Sequence, residues 1–267
     1  MQKDTMGHKA LPLDRQFYLP GPWGPLPVII TYGATEAARK RVFVMAHGFR
    51  GSMDGGGRAV DMARDLSPLC TVVRFAFSWC TLLTNQIAEF QAVVAYVRRT
   101  LAPQKLYCLG RSLGGATAIL AACSDPACVP DGLILWSAPN NLQRTFVQVL
   151  TQPVFDELRA GRDLYLEDEK GRDLIRGTFV QDIFRYDLPA CLKRWPGGPV
   201  LLLHGLADPV VSWDQAQANY DCLPGPKELV LIEGGDHSFA RKGEEAGWAA
   251  RYWLASLLGE TDGASVR

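Results

Sequence analysis

The chain has 267 residues, of which 48% are hydrophobic, so it can bury one large core within a single domain. Its 28 basic residues balance its 28 acidic residues, which argues against nucleic acid or an anionic membrane surface as a partner. The polar segment 1–16 contains no signal-peptide core and no stretch reaches the roughly 18 apolar residues of a membrane span, so we expect a cytoplasmic protein.

The first predicted elements are two β-like runs within residues 15–33, joined by a turn rich in Pro and Gly. No helical pattern separates them. This arrangement predicts an antiparallel hairpin at one edge of a sheet.

Six further short apolar runs follow, and they are nearly continuous in apolar character, as strands buried on both faces of a parallel sheet are. They begin at residues 41, 71, 105, 132, 199 and 228. Helical patterns at 85–101, 113–123 and 243–258 lie between or after them; the first places Ile87, Phe90, Val94 and Val97 on one stripe. The alternation predicts a doubly wound, mostly parallel α/β sheet.

More than 50 residues separate the runs that begin at 132 and 199, far more than a crossover needs. We therefore predict a helical cap at 140–195, inserted into an α/β core of 15–139 and 196–260 that follows a flexible tail at 1–14. We interpret the charged run "LEDEKGRD" of the insertion as a solvated surface.

The segment "LYCLGRSLGGATAIL" places Gly110-Arg111-Ser112-Leu113-Gly114 between a predicted strand and a predicted helix. The pattern G-x-S-x-G is typical of a nucleophile elbow, in which a strained turn holds a serine hydroxyl toward a substrate. The alternative is an ordinary strand-to-helix connection with serine as the N-cap.

A nucleophilic serine needs a base, most often an imidazole that a carboxylate orients. Of the four histidines, His8 falls in the predicted tail, and His47 and His204 each precede a glycine at a strand end, where we interpret them as structural. His237 lies in the loop before the last helix, at the sheet edge where open α/β sheets place function. We predict that His237 is the base.

The predicted acid is Asp208, which follows the strand beginning at 199. Its rival is Asp236, but neighbours in sequence such as Asp236 and His237 rarely present their side chains face to face. The resulting chain order is Ser112, Asp208, His237.

Acyl transfer also requires donors for an oxyanion. The backbone amide of Leu113, at the start of a helix, is one candidate, and the amide of Phe49 in "AHGFRG" is the other.

Together and in this order, "HGF", "GRSLGG", "HGLADPVVS" and "GGDHSF" resemble the α/β-hydrolases, in the branch that contains cinnamoyl (feruloyl) esterases, monoacylglycerol lipases and serine-aminopeptidase-like hydrolases. The resemblance extends from about Arg41 to the last helix. One segment departs from it: this branch has an Asp-x-x-Gly-x-Gly-x-Ser run after the strand at 71, whereas "FAFSWCTLLTN" lacks that aspartate and those glycines. The pocket wall formed by residues 76–85 is therefore expected to be unusual.

The seven cysteines show no C-x-x-C spacing, which favours buried reduced thiols, with a Cys123–Cys128 disulfide left open. No cofactor or metal is implied, and the expected partner is a small-molecule ester; the oligomeric state stays open.

The expected function is hydrolysis of carboxylic esters with small to medium apolar or aromatic acyl groups, through an acyl-enzyme. Thioester or short-peptide hydrolysis by the same residues is an alternative, and so is a non-catalytic ligand-binding homologue. The acyl preference depends on the apolar residues of the insertion, most of which we expect to pack the cap: Phe146, Val149, Leu150, Val154, Phe155, Leu158, Phe179, Ile183, Phe184 and Tyr186.

Overall fold

A computed structural model describes residues 14–79, 81–168 and 171–260. The predicted tail lies outside these residues except for Asp14, and so do His8 and Cys80.

Ten strands form the β structure of the described residues. They are β1 (Asp14–Gly21), β2 (Gly24–Thr31), β3 (Arg41–Ala46), β4 (Thr71–Phe75), β5 (Lys105–Arg111), β6 (Gly132–Trp136), β7 (Leu164–Asp168), β8 (Gly171–Ile175), β9 (Val200–Gly205) and β10 (Lys227–Ile232). Eight of them build one sheet in the order β1-β2-β4-β3-β5-β6-β9-β10. Strand β2 is antiparallel to both of its neighbours, and β4, β3, β5, β6, β9 and β10 are parallel. The predicted mostly parallel sheet with an N-terminal antiparallel hairpin is confirmed.

Helices cover both faces of this sheet. They are α1 (Glu36–Arg39), α2 (Arg58–Leu66), α3 (Leu83–Tyr96), α4 (Leu113–Ser124), α5 (Leu142–Leu150), α6 (Gln152–Arg159), α7 (Gly177–Ile183), α8 (Leu188–Lys193), α9 (Asp214–Cys222) and α10 (Gly243–Leu257). Helices α2 and α10 pack on one face, and α3 and α4 pack on the other. None of the helices in the described ranges is long and apolar enough to cross a membrane.

The predicted stripe on α3 is buried against the sheet and α4, because Ile87, Phe90, Val94 and Val97 all belong to the larger apolar core. Each such side chain contributes about 1.5–3 kcal/mol when it is fully buried. The last of them begins a π-helical turn, Val97–Leu101, that continues the helix.

The segment 140–195 contains four helices, α5 to α8, and also the hairpin β7–β8, which the sequence analysis did not predict. The hairpin forms because Leu164 and Leu166 are half-buried while Tyr165 and Glu167 are exposed, the alternation of a strand with one covered face. The apolar alternation of this hairpin is short and is interrupted by the charged run, so the sequence pattern did not indicate strands here.

All six parallel strands end at the same edge of the sheet, so the loops that follow β3, β5, β9 and β10 meet there. These loops carry Phe49, Ser112, Asp208 and His237.

Candidate active site

Ser112 stands at a sharp turn between β5 and α4, with φ 52° and ψ −124°. A non-glycine residue with positive φ is strained, and the Ser112 amide donates a 2.8 Å hydrogen bond to the Trp136 carbonyl that helps to hold it. The turn also needs glycine nearby, because a Cβ at Gly114 would lie 2.4 Å from the Ala46 carbonyl oxygen. The strand β3 can therefore end directly beside the start of α4.

The loop after β3 packs against the serine itself. A Cβ placed on Gly48 would lie 2.9 Å from Ser112 Cβ and 3.4 Å from Ser112 Oγ. Glycine at position 48 thus lets the backbone that carries the Phe49 amide come close to the hydroxyl.

The backbone amides of Phe49 and Leu113 have no hydrogen-bond partner among the residues that the structure describes, and neither does Ser112 Oγ. The Leu113 amide is at the N-terminus of α4, where the helix leaves its first amides unpaired. Two free donors beside a free hydroxyl can bind a developing oxyanion.

His237 and Asp208 are hydrogen-bonded to each other: the distance from His237 Nδ1 to Asp208 Oδ2 is 2.8 Å. The other carboxylate oxygen, Oδ1, accepts from the backbone amides of Val210 at 2.8 Å and Val211 at 2.9 Å. The carboxylate is fully buried, so its orientation is set by these bonds. An ionised carboxylate can only accept, so Nδ1 of His237 carries the hydrogen and Nε2 is left as the basic nitrogen.

The environment keeps this pair in the required charge states. Burial by itself would raise the pKa of Asp208, but the hydrogen bonds from His204 and His237 outweigh it and hold the pKa well below the usual range. Burial lowers the pKa of His237, and its hydrogen bond to Asp208 only partly opposes that shift. At neutral pH the arrangement is therefore a carboxylate beside a neutral imidazole.

His47 and His204, which we predicted to be structural, both bond to backbone. The two ring nitrogens of His47 contact the Gly48 carbonyl oxygen at 2.9 Å and the Phe77 amide at 3.0 Å. His204 Nε2 lies 2.8 Å from the Val211 carbonyl oxygen, but it is also 3.4 Å from Asp208 Oδ2. His204 thus supports the carboxylate, a contact that the spacing of the sequence does not reveal.

Asp236 does not bond to His237. Its Oδ1 accepts from the backbone amides of Ser238 at 2.9 Å and Ala240 at 3.0 Å, within its own loop. Arg111 joins that loop to the serine turn, because its guanidinium donates to Ser238 Oγ at 2.9 Å and to the His237 carbonyl oxygen at 3.3 Å. Sequence reasoning missed Arg111, since the pattern G-x-S-x-G leaves its position open.

Our interpretation of the charged run in the insertion as a solvated surface is wrong for Asp173, whose side chain is mostly buried, while Asp168 is paired with Arg50 but remains exposed. Asp168 and Asp173 accept from the buried guanidinium of Arg50 at 2.6 Å and 2.5 Å. Trp79 Nε1 donates to the second carboxylate at 2.6 Å. These ion pairs join the hairpin β7–β8 to the loop after β3, because the buried guanidinium of Arg50 needs carboxylate partners.

The insertion also contacts the loop after β3 through aromatic rings. The Phe49 ring stacks on Phe179 with centroids 5.3 Å apart and meets Phe146 edge-on at 5.2 Å. Of the ten apolar residues of the insertion named above, Phe146, Leu150, Phe155, Leu158, Phe179 and Ile183 are buried, and Phe184 is exposed. The six buried residues form the core of the insertion and its contact with the body.

The segment 76–85, where the chain departs from the pattern of its branch, is tied to both sides of the site. The amide of Phe77 donates to His47, and Thr84 donates to Asp182 of the insertion through its backbone amide at 2.8 Å and its hydroxyl at 2.6 Å. The segment 76–85 is therefore fixed by hydrogen bonds to side chains, where the related proteins have a glycine-rich loop.

Within ranges 14–79, 81–168 and 171–260, no group of three or more His, Cys, Asp or Glu side chains is arranged to hold a metal ion. The cysteines in those ranges are free thiols, so Cys123 and Cys128 do not form the disulfide left open above. The Cys123 thiol lies 3.5 Å from the carbonyl oxygen of Cys191 instead.

Comparison with known families gives one match to most of the chain. The family model described as "Serine aminopeptidase, S33" matches residues 79–242. Among curated proteins, the uncharacterized protein YfhR of Salmonella typhimurium is 27% identical over 165 residues, which are 59% of this chain and 49% of YfhR. The chain spans about half the length of the curated relatives it matches.

Solved structures share the fold. Est1E from Butyrivibrio proteoclasticus, which has also been solved with ferulic acid bound, matches 91% of this chain and 99% of its own with a TM-score of 0.74 at 18% identity. A monoacylglycerol lipase of Paleococcus ferrophilus matches 86% of this chain and 98% of its own, with a TM-score of 0.65 at 19% identity.

Proposed function

Because the chain belongs to the serine aminopeptidase S33 family of α/β serine hydrolases, we propose that it hydrolyses carboxylic esters through an acyl-enzyme formed on Ser112. The observation that carries the proposal is the 2.8 Å bond between Asp208 and a neutral His237, in loops that meet at the strained serine turn. An activated serine needs such a base and such an orienting carboxylate.

In the proposed reaction, Ser112 Oγ attacks the ester carbonyl carbon while His237 Nε2 accepts the hydroxyl proton. The amides of Phe49 and Leu113 donate to the oxyanion of the tetrahedral intermediate. His237 then returns the proton to the departing alkoxide, so the alcohol leaves and the acyl group stays on the serine. Water repeats the sequence with the same residues and releases the acid.

Ser112 Oγ makes no hydrogen bond with His237 in the described structure. Such bonds are often long before substrate binds and tighten in the Michaelis complex, so the proposal requires only that Nε2 faces the hydroxyl when substrate is present.

We further propose that the segment 140–195 acts as a cap and favours small to medium apolar or aromatic acyl groups. The half-buried Phe49 ring, which packs on the buried rings of Phe146 and Phe179, supports this preference, because it belongs to the residue whose amide would hold the oxyanion. Aromatic rings favour apolar and aromatic partners. The ferulic acid bound to Est1E, a protein of the same fold, is consistent with an aromatic acyl group.

The free thiols of the described cysteines support a reducing compartment such as the cytoplasm.

The acyl preference predicts the order of kcat/KM on acetyl, butyryl, octanoyl, palmitoyl and feruloyl esters of one alcohol. We expect the best of the butyryl, octanoyl and feruloyl esters to exceed the palmitoyl ester by about tenfold or more, because a pocket of the proposed size cannot accommodate the palmitoyl chain and a misfit of one methylene already costs about 1–3 kcal/mol. Highest activity on palmitoyl or emulsified substrates would contradict the preference.

Two additions to this panel separate the alternatives. The first is a thioester and a peptide anilide of the preferred acyl group. If the thioester is cleaved faster than the ester, the protein is a thioesterase; if the anilide is cleaved faster, it is a peptide hydrolase. A fluorophosphonate probe is expected to label Ser112 stoichiometrically, and absence of labelling in folded protein favours a non-catalytic binding protein.

The charge state of His237 predicts the pH dependence of kcat/KM. Protonated imidazole cannot accept the proton of Ser112, and burial lowers the pKa of His237, so the neutral form persists to lower pH than in an ordinary histidine. We expect kcat/KM on the preferred ester to rise with pH through one ionisation with a midpoint below about 6.5, then to level off. Circular dichroism at each pH verifies folding, and a midpoint clearly above that value is incompatible with His237 as a buried base.

A further inference from the structure

A cavity of about 1130 Å³ opens beside the candidate active site, on the face of the sheet that carries α2 and α10. The loop 51–56, the first turns of α2 and α10, and the segment 238–242 form its walls. We call it the α2–α10 cavity. Arg111 and Ser238, which are the sequence neighbours of Ser112 and His237, line this cavity, whereas Ser112, Asp208 and His237 themselves do not. Its volume suits a small-molecule ligand.

Three guanidinium groups in the lining have no carboxylate partner among the described residues. The side chains of Arg58 and Arg241 make no hydrogen bond and no ion pair with any residue in those ranges. Arg111 is half-buried and donates only to two neutral oxygens. Burial lowers the pKa of Arg111 and the nearby charge of Arg58 lowers it further, while the charges of Asp208 and Asp236 partly oppose this shift. A half-buried guanidinium beside a second cation is costly unless an anion joins them.

The acidic residues of the lining do not neutralise this cluster. Asp61 is paired with Arg64 at 3.6 Å, and Glu245 is paired with Lys242 at 2.9 Å. Asp65 and Glu244 also line the cavity, but no ion pair links either of them to Arg58 or Arg111 in the described structure.

The helix ends add to the positive potential. Arg58 is the first residue of α2, and its Cδ would lie 3.5 Å from a Cβ on Gly243, the first residue of α10. Neither helix has a side-chain hydrogen bond at its N-cap. The Ala59 amide of α2 donates to the Asp54 carbonyl oxygen at 3.2 Å, and the remaining first-turn amides are available near Arg58.

Aromatic side chains complete the lining: Trp79, Trp136 and Trp248 contribute to the cavity wall. Trp79 donates to Asp173 and Trp248 stacks on Tyr252, and the two tryptophans still leave 57% and 49% of their surface exposed. Such rings favour an apolar or aromatic ligand body.

We propose that the α2–α10 cavity binds a small molecule that carries a phosphate or carboxylate on an aromatic body, with Arg58 and Arg111 holding the oxyanion. Guanidinium groups bind phosphate and carboxylate in forked geometry, and the exposed rings of Trp79 and Trp248 contact the aromatic part. Since the basic and acidic residues of the whole chain balance, this attraction comes from the local arrangement and not from the net charge.

The test is calorimetric titration of the protein with phenyl phosphate, phenylacetate and uncharged benzyl alcohol. We expect both anions to bind at millimolar concentration or below, and benzyl alcohol to bind at least about tenfold more weakly. The stronger of the two anions identifies phosphate or carboxylate as the preferred group.

Arg58→Gln is expected to weaken binding of the anions by about tenfold or more, which corresponds to about 1.4 kcal/mol. Arg58→Lys is expected to weaken it less, because the charge stays and the fork is lost. Arg99→Gln is the matched control: it removes an exposed charge from the π-helical turn that follows α3, on the opposite face, and should leave the dissociation constants unchanged.

Ser112→Ala protein should bind the anions like the parent, so this result does not depend on hydrolysis. The proposal is overturned if neither anion binds, if Arg58→Gln and Arg99→Gln have equal effects, or if benzyl alcohol binds as well as the anions. Thermal melting of each variant verifies that the protein is folded, as expected for substitutions of exposed arginines.

Discussion

Ser112→Ala is expected to lower kcat for ester hydrolysis by about 10³-fold or more while the protein stays folded. The substitution removes only Oγ, which bonds to no described residue, so no structural hydrogen bond is lost. Alanine and serine meet the same strain at φ 52°, so the melting temperature should change little. The measurements are kcat on the preferred ester, labelling by a fluorophosphonate probe, and thermal unfolding.

The chain offers a matched control for this substitution. Ser137 is also buried with positive φ, 49°, and its Oγ also lacks a hydrogen-bond partner in the described structure. Ser137→Ala is expected to keep kcat within a few-fold of the parent and to keep probe labelling. If Ser112→Ala instead retains near-parental rates, residue 112 is an ordinary strand-to-helix connection and the proposed nucleophile is wrong.

Asp208→Asn is expected to lower kcat by about 10²- to 10⁴-fold. The asparagine oxygen can still accept from the amides of Val210 and Val211, which leaves its NH₂ group facing His237 Nδ1. That NH₂ can only donate, so the imidazole must carry its hydrogen on Nε2, where it cannot accept the serine proton. The amide also cannot stabilise the imidazolium that forms during the reaction.

Asp236→Asn is the comparison for the acid. An asparagine oxygen can keep both of the backbone bonds that Asp236 makes to Ser238 and Ala240, so the loop and kcat should change by less than about tenfold. Both variants are measured as purified protein with matching circular dichroism. The reverse ranking would transfer the acid role to Asp236.

The periodicity of the sequence was sufficient to predict the sheet and most of its helices. Strands buried on both faces must be apolar throughout, so the runs from 41 to 232 were visible without contacts. The expectation that Asp208 and His237 meet depended on the same reasoning, since loops at the carboxyl ends of parallel strands share one edge. Their 2.8 Å hydrogen bond lies at that edge.

The contacts of the insertion could not be predicted in this way. The hairpin β7–β8 was missed because its apolar alternation is short and is interrupted by charge. Asp168 and Asp173 lie more than 100 residues from Arg50 along the chain, and only the folded chain shows that this guanidinium is buried and needs them. A charged run has the same composition whether it is solvated or paired.

By itself, the sequence determined the α/β architecture, the hairpin at its edge and the serine turn, because each of these depends on local periodicity or on residues adjacent in the chain. Only the tertiary structure decided which of the two aspartates bonds to His237, how Arg50 joins the insertion to the loop after β3, and that Arg58 and Arg111 face one cavity. These three outcomes depend on distances between residues remote in sequence, on burial and on the partners that burial makes necessary, and none of these is encoded in a local pattern.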